Sequence, residues 1–385
     1  MKTAALAFFL LPFGLLISDI SDHPARPPYF REVSFRVDRG PRWISVSDVN
    51  HDGNPDILVA NADAGTVSVL LGDGVGDFRE AQGSPFPAGH LPNDIAVADM
   101  NGDGFRDLVI ANHQSPDITI LLGDGKGGFT PAPGSPFDVH SKPHPHGVAV
   151  ADFNGDGVPD VVTDSWGTNQ IELLLGDGKA GLITPGRYFT VGHRPYERLR
   201  TADFNNDGFP DVVTTNLDDG TVTILLGDGK GGLNEAQGSP FPAGAKPWQV
   251  YVGDINGDGN ADLVVIPYQR DIANSSQNAV TVLLGNGHGS FTPMPGTPLS
   301  LEGCRGPDSV TAGYLMPGKH MIAVLCAESR DLMLFERDSS GRYNASRMPT
   351  KGGWGSVAFA RLTDDPRGEL ITANNNDGTI TIYFP

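Results

Sequence analysis

The sequence predicts an all-β fold: a seven-bladed β-propeller of four-stranded antiparallel blades, closed by its own N-terminal strand. Three observations lead there. A nine-residue acidic loop returns at a near-constant interval, four strand signals surround each copy, and the two chain ends each lack what the other supplies.

The loop reads D-x-N-x-D-G-x-x-D. Its copies are DVNHDGNPD (residues 48–56), DMNGDGFRD (99–107), DFNGDGVPD (152–160), DFNNDGFPD (203–211) and DINGDGNAD (254–262), at steps of 51, 53, 51 and 51 residues. A fixed period of this size marks a stacked supersecondary unit. In the second unit IAVAD (95–99) runs into the loop and DLVIAN (107–112) leaves it. DITILLGDG (117–125) and GGFTPAPGSPF (127–137) complete the unit. These segments are rich in β-branched residues, bounded by turn residues, and read as strands. The third and fourth are joined by G-D-G-x-G turns starting at Gly72, Gly123, Gly176 and Gly227, and by GNGHG at Gly285. Asp-Gly and Asn-Gly pairs favour the primed turns of tight hairpins. Four antiparallel strands in about 50 residues make a propeller blade.

Two more units have lost the carboxylates. RLTDDPRGE (361–369) aligns with the loop and is followed by LITAN and GTITIYF, while SVTAGYLMPGKHMIAVL (309–325) is a hairpin without ligands. The 107 residues between Asp254 and Arg361 are two periods, which brings the count to seven. The last unit stops at TIYFP with its fourth strand missing, and FREVSFRV (30–37) has the pattern of FREAQGSPF (78–86), the fourth strand of the first unit. Pairing 30–37 with 379–384 closes the circle and removes an exposed strand edge.

Residues 4–17 form an apolar run after Lys2, broken by Pro12 and Gly14. The run is too short to span a bilayer comfortably and fits a secretory signal peptide over residues 1–18, cleaved between 18 and 28. Residues 19–28 are then a linker and 29–385 the propeller. An uncleaved membrane anchor is the alternative. The expectation is a monomer in a secreted or extracytoplasmic setting. There, Cys304, just before the first strand of the sixth unit, and Cys326, at the end of its second, favour a disulfide. Two buried thiols are the other reading. The net charge is −19, and three Asp in each of five loops account for 15 of it. With no basic stripe to neutralise phosphates, nucleic acid is disfavoured as a partner.

Oxygen side chains at positions 1, 3, 5 and 9 suit a hard cation, because Ca²⁺ takes six to eight oxygens in flexible geometry. The expected ligands are Asp48, Asn50, Asp52 and Asp56; Asp99, Asn101, Asp103 and Asp107; Asp152, Asn154, Asp156 and Asp160; Asp203, Asn205, Asp207 and Asp211; and Asp254, Asn256, Asp258 and Asp262. About five Ca²⁺ sites follow. Gly at position 6 supplies the positive φ that wraps the loop, and the carbonyl at position 7 adds a backbone ligand by analogy with the EF-hand. EF-hands themselves are disfavoured, since the closing carboxylate stands at position 9 rather than 12 and the flanks read as strands.

These loops and their flanking strands resemble the FG-GAP / VCBS-type repeat family, secreted calcium-binding propellers related to the head of integrin α subunits. The resemblance covers residues 30–385 and implies a seven-bladed propeller with calcium in the blade loops. The loops of units six and seven depart from the pattern, and Ile110-Ala111-Asn112 and its equivalents replace the GAP tripeptide. Adhesion proteins, lectins and propeller domains of polysaccharide lyases share the repeat, so fold alone assigns no function.

Each inner strand is approached through a short segment: GPRW (40–43), HLPND (90–94), KPHPH (142–146), HRPYE (193–197), AKPWQ (245–249), RGPDS (305–309) and KGGWG (351–355). Inner strands line a propeller's channel, so these segments ring one mouth. Trp43, Asp94, His144, His146, Tyr196, Glu197, Trp248 and Trp354 are the expected ligand-binding residues, since aromatics beside carboxylates suit sugar recognition. Capping of the blades is the bland alternative. His140, His144 and His146 raise a metal or acid–base role, although no Cys or Glu follows at a zinc-like spacing. No nucleophile elbow, phosphate-binding loop or dinucleotide fingerprint is present, which leaves no catalytic residue to name. The sequence therefore points to a secreted, calcium-binding module for binding or adhesion to a glycan or extracellular protein. A polysaccharide lyase or lactonase-like hydrolase at the channel mouth, using His144, His146, Tyr196 or Glu197, is the alternative.

Overall fold

The computed structural model describes residues 31–268, 277–316 and 319–385; the expected signal peptide and the linker lie outside the described residues. Seven antiparallel sheets follow one another along the chain, each built from an inner strand outward. In blade 1 the strands are Pro41–Ser47, Asp56–Asn61, Thr66–Gly72 and Phe78–Glu80. Every acidic loop joins an inner strand to the second strand, with pairings Ser47↔Asp56, Ala98↔Asp107, Ala151↔Asp160, Ala202↔Asp211 and Gly253↔Asp262.

Period-two alternation explains how the blades hold together. The second strand of blade 1 is buried along its whole length. Ile57 and Val59 pack against Ile371, Ile380 and Ile382 of blade 7. Leu58 and Ala60 pack the other way, against Ile95, Leu108 and Ile110 of blade 2. Successive side chains leave opposite faces of a strand, so each sheet feeds the core on both its sides and no blade has an apolar face of its own to expose.

The ring closes as the ends of the sequence imply. Arg31–Arg36 pairs antiparallel with Thr379–Phe384, from Arg31↔Phe384 to Arg36↔Thr379. The Arg31 guanidinium lies 4.4 Å over the Phe384 ring, and the Ser34 and Thr381 hydroxyls are 2.9 Å apart. Blade 6 carries the expected bridge: Cys304 and Cys326 are disulfide-bonded with Cα atoms 5.3 Å apart.

One element differs from expectation. The fourth strand of blades 1, 2, 4 and 5 is not continuous but split in two, as in Phe78–Glu80 and Phe86–Pro87. The prolines of the intervening turn cannot donate to a ladder. Across the break a serine hydroxyl serves as acceptor for the third strand: Ser84 accepts from the Val69 amide at 3.1 Å, Ser135 from Ile120 at 2.9 Å and Ser239 from Ile224 at 3.1 Å.

The disc therefore has two distinct faces. One carries the acidic loops. The other carries the approach segments, since Pro92 pairs with Asn112 at the opposite end of the blade 2 hairpin. A seven-residue strand separates the two by roughly 20 Å.

Candidate functional site

The approach segments turn sharply into the channel. The residue before the strand's proline has positive φ in five blades: Gly40, Leu91, Arg194, Lys246 and Gly306. Glycine is required at the first of these, where a Cβ would meet the Asp63 carboxyl at 2.5 Å. Immediately after the proline, a register shift leaves one residue unpaired in four inner strands: Arg42, Asn93, Trp248 and Asp308. Such bulges re-aim a side chain. The tryptophans stand at different distances from the proline and so differ in register. Trp248 stands on the bulge, whereas Trp43 is one register deeper, where it pairs with Ala60 as Gln249 pairs with Ile266.

Rings from four blades form an arc around the approach face. His113 lies 4.4 Å from His144, His144 is 5.0 Å from His146, and His146 is 4.2 Å from Tyr196. Tyr196 continues to Trp166 at 5.5 Å and to Trp248 at 5.0 Å, and Trp248 stacks on Tyr268 at 4.4 Å with rings 23° from parallel. A cavity of about 380 Å³ opens here, lined by Arg42, Asn93, His113, Trp248, Tyr268 and Trp354 among others. His113, Trp166 and Tyr268 are absent from the sequence-based set. Each directly follows a second strand (Asp107–Asn112, Asp160–Ser165 and Asp262–Pro267), a signal visible only once that strand's far end is assigned to the mouth.

Beneath the arc the channel is crossed by charge. Arg198, 4 % exposed, reaches from blade 4 past blade 3 to Asp94 of blade 2 at 3.2 Å and donates to the Asn93 carbonyl at 2.9 Å. Arg200 meets the other Asp94 oxygen at 3.2 Å. The Arg198 guanidinium lies 3.6 Å over the Trp43 ring of blade 1. Asp94 and Trp43 are thus members of this bar, and Asp94 is itself only 1 % exposed. On the far side a cavity of about 550 Å³ is walled by inner strands and extends to Asp254 of an acidic loop.

Tyr196, Trp248, His144 and His146 come together, and Trp354 lines the same cavity as Trp248. The Glu197 side chain lies outside the described residues. His140 stands apart, 3.9 Å from Asp138, and His113 takes its place beside His144 and His146. Burial, reinforced by the neighbouring His146, pushes the His144 imidazole below the ordinary histidine range.

The acidic loops repeat one geometry. In blade 2 the Gly102 and Gly104 amides donate to Asp99, the Asp103 amide donates to Asn101 Oδ1 at 3.0 Å, and the Phe105 amide donates to Asp103 Oδ1 at 2.8 Å. The position-6 glycines have φ between +82° and +89°. Asp107 is fully buried, its oxygens accepting from the Met100 amide at 2.8 Å and the Gly123 amide at 2.9 Å. Burial, then the neighbouring loop carboxylates, push the equivalent Asp56 and Asp211 up to about 6, against their backbone hydrogen bonds.

Two observations bear on whether the loops fit a cation. The donor set is all oxygen and anionic, and Asp48 Oδ1 is buried without a hydrogen-bond partner among the described residues. In the divergent blade 7 loop a protein cation stands in: Arg367 grips Asp365 through Nε at 2.9 Å and Nη2 at 2.7 Å, while Glu369 repeats the position-9 cap by accepting from the Leu362 amide at 2.8 Å. The residues present fit a hard divalent ion.

The family model for the FG-GAP-like repeat matches residues 48–110, 99–163 and 203–265. No curated protein matches the sequence. Among solved structures, BBS1N in complex with ARL6DN is similar at 12 % identity and TM-score 0.62, covering 94 % of this chain and 98 % of that one. A streptogramin B lyase is similar at 16 % and 0.58, with 92 % and 97 % covered. Virginiamycin B lyase from Staphylococcus aureus is similar at 16 % and 0.58, with 92 % and 99 % covered. At these identities the likeness is one of fold.

Proposed function

We propose that this chain, a seven-bladed propeller of FG-GAP-like repeats, is an extracytoplasmic, calcium-stabilised binding module that takes a glycan on its approach face. The arc of rings above a charged floor carries the reading. Sugars present apolar C–H faces to aromatic rings and hydroxyls to polar groups between them. Trp354 and Tyr268 offer the rings, with the buried Trp248 stacked behind Tyr268, while Arg42, Asn93 and Gln114 line the same cavity. The Asp94–Arg198–Arg200 bar beneath favours a ligand that lies across the mouth over one that threads the channel.

Calcium would be held by the carboxylates and asparagines of the five loops, where it supplies charge neutralisation that ties each inner strand to its neighbour. The Cys304–Cys326 bridge supports an oxidising compartment. A second reading, a lyase or hydrolase, is favoured by the His146–Asp164 pair at 3.0 Å beside Tyr196.

Screening the calcium-loaded protein against glycans, scoring both binding and cleavage, tests the two together. Trp354→Ala and Tyr268→Ala are expected to weaken the identified ligand by roughly tenfold each, about 1.4 kcal/mol. Parent-like binding by both variants would remove the site from this face.

A further inference from the structure

We infer that His113, His144 and His146 form a binding site for one divalent transition metal of borderline softness, of the zinc type, distinct from the oxygen-lined loops. The three rings offer one nitrogen each, all within 4.8 Å of one another.

His146 is fully buried and its orientation is fixed from behind. Asp164, 1 % exposed, accepts from the His146 amide at 2.8 Å, from the Gly147 amide at 2.8 Å, and from His146 Nδ1 at 3.0 Å. A carboxylate so placed is an acceptor, so in the neutral imidazole that a metal requires the proton goes to Nδ1 and the lone pair to Nε2. Nε2 is buried with no hydrogen-bond partner among the described residues. A buried acceptor left without a partner is unfavourable, and a bound metal would satisfy it. A carboxylate behind an imidazole is how metal-ligating histidines are oriented and made more basic.

The neighbours are arranged to match. His144 and His146 alternate with Pro143 and Pro145, whose fixed φ reduces what the segment loses on ordering. The Asn93 side-chain Nδ2 donates to the His146 carbonyl at 2.8 Å, and the His113 backbone amide donates to the Leu91 carbonyl at 3.0 Å. Nitrogens around a tetrahedral zinc stand roughly 3.3 Å apart, so the widest pair closes by about 1.5 Å. That movement falls to His113 and His144, which are partly exposed. Three imidazoles are poor calcium ligands and suit zinc, nickel or copper. Because His113 also lines the mouth cavity, the fourth position faces that cavity and takes water or a ligand oxygen. The metal would tie blade 2 to blade 3.

The test uses the tag-free full chain, stripped of transition metal and kept in millimolar calcium so that the loops do not compete. Zinc chloride is titrated by calorimetry, with cobalt(II) absorption as a second readout of nitrogen coordination. One equivalent of zinc is expected, with tetrahedral cobalt bands. Asp164→Asn should weaken zinc roughly 10–100-fold, and His113→Ala or His144→Ala by more. His146→Ala risks misfolding, so substitutions at the two partly exposed histidines decide the matter, with the melting temperature in calcium as the folding control. No zinc uptake by the parent overturns the inference. So does equal uptake by the folded His113→Ala/His144→Ala double variant.

Discussion

Asp94 is the perturbation with the clearest arithmetic. It is 1 % exposed and sits against two guanidinium groups, one of them, Arg198, 4 % exposed. Asp94→Ala takes from the buried Arg198 guanidinium the carboxylate that faces it at 3.2 Å. Removing one partner of a buried ion pair costs about 3–5 kcal/mol. The Asp94 carboxylate also accepts from the Val148 amide at 3.3 Å, so the variant loses a tie to the next blade as well. Changing Arg198→Met with Asp94→Leu removes both charges and keeps the volume apolar, which is often close to neutral in other proteins. Arg200, 25 % exposed, turns towards water in that double variant. The assay is urea denaturation in millimolar calcium, comparing midpoints at unchanged slope. The single variant is expected to fall well below the parent and the double variant to recover at least half of the loss. A single variant within about 1 kcal/mol of the parent, or a double variant no better than the single, refutes the reasoning.

Three further outcomes are expected. Melting temperatures in excess chelator should fall below those in millimolar calcium, because several sites binding only the native state add by mass action; Asp99→Ala/Asp103→Ala should lose one bound calcium and still fold. Removing residues 31–36 should leave the Thr379–Phe384 edge open and yield an aggregating protein by light scattering. Burial raises the Glu369 carboxyl above its usual range, so its stabilising contribution is present below about pH 4.5 and lost as pH rises through the folded value; Glu369→Gln should therefore be at least as stable as the parent at pH 7, with any advantage closing towards pH 4.

How much of this was legible follows from how local each feature is. The acidic loop carries its own instructions: glycine at position 6, carboxylates at fixed offsets and β-branched flanks specify a hairpin wherever they occur. The blade count and the closing strand then follow from counting. The bulge after the proline does not announce itself, so the sequence does not show that Trp248, one residue past its proline, falls on the bulge while Trp43, two past its own, is paired. Arg198 and Arg200 sit on one strand of blade 4 and meet Asp94 and Trp43 across the axis. His113, Trp166 and Tyr268 occupy positions that differ from blade to blade, so the repeat lends them no emphasis. The burial of His146 against Asp164 depends on a hairpin pairing that spacing alone does not reveal.

The joining of the two chain ends has a consequence in time as well as in space. Arg36 meets Thr379, which is synthesised 343 residues later. At ribosomal rates that interval is on the order of 20–70 s. Throughout it the first strand has no ladder to join, while six blades assemble behind it and their unfinished seam stays exposed. A factor that shields a nascent polar strand would act in that window, and slowing elongation would lengthen the window without altering a single native contact.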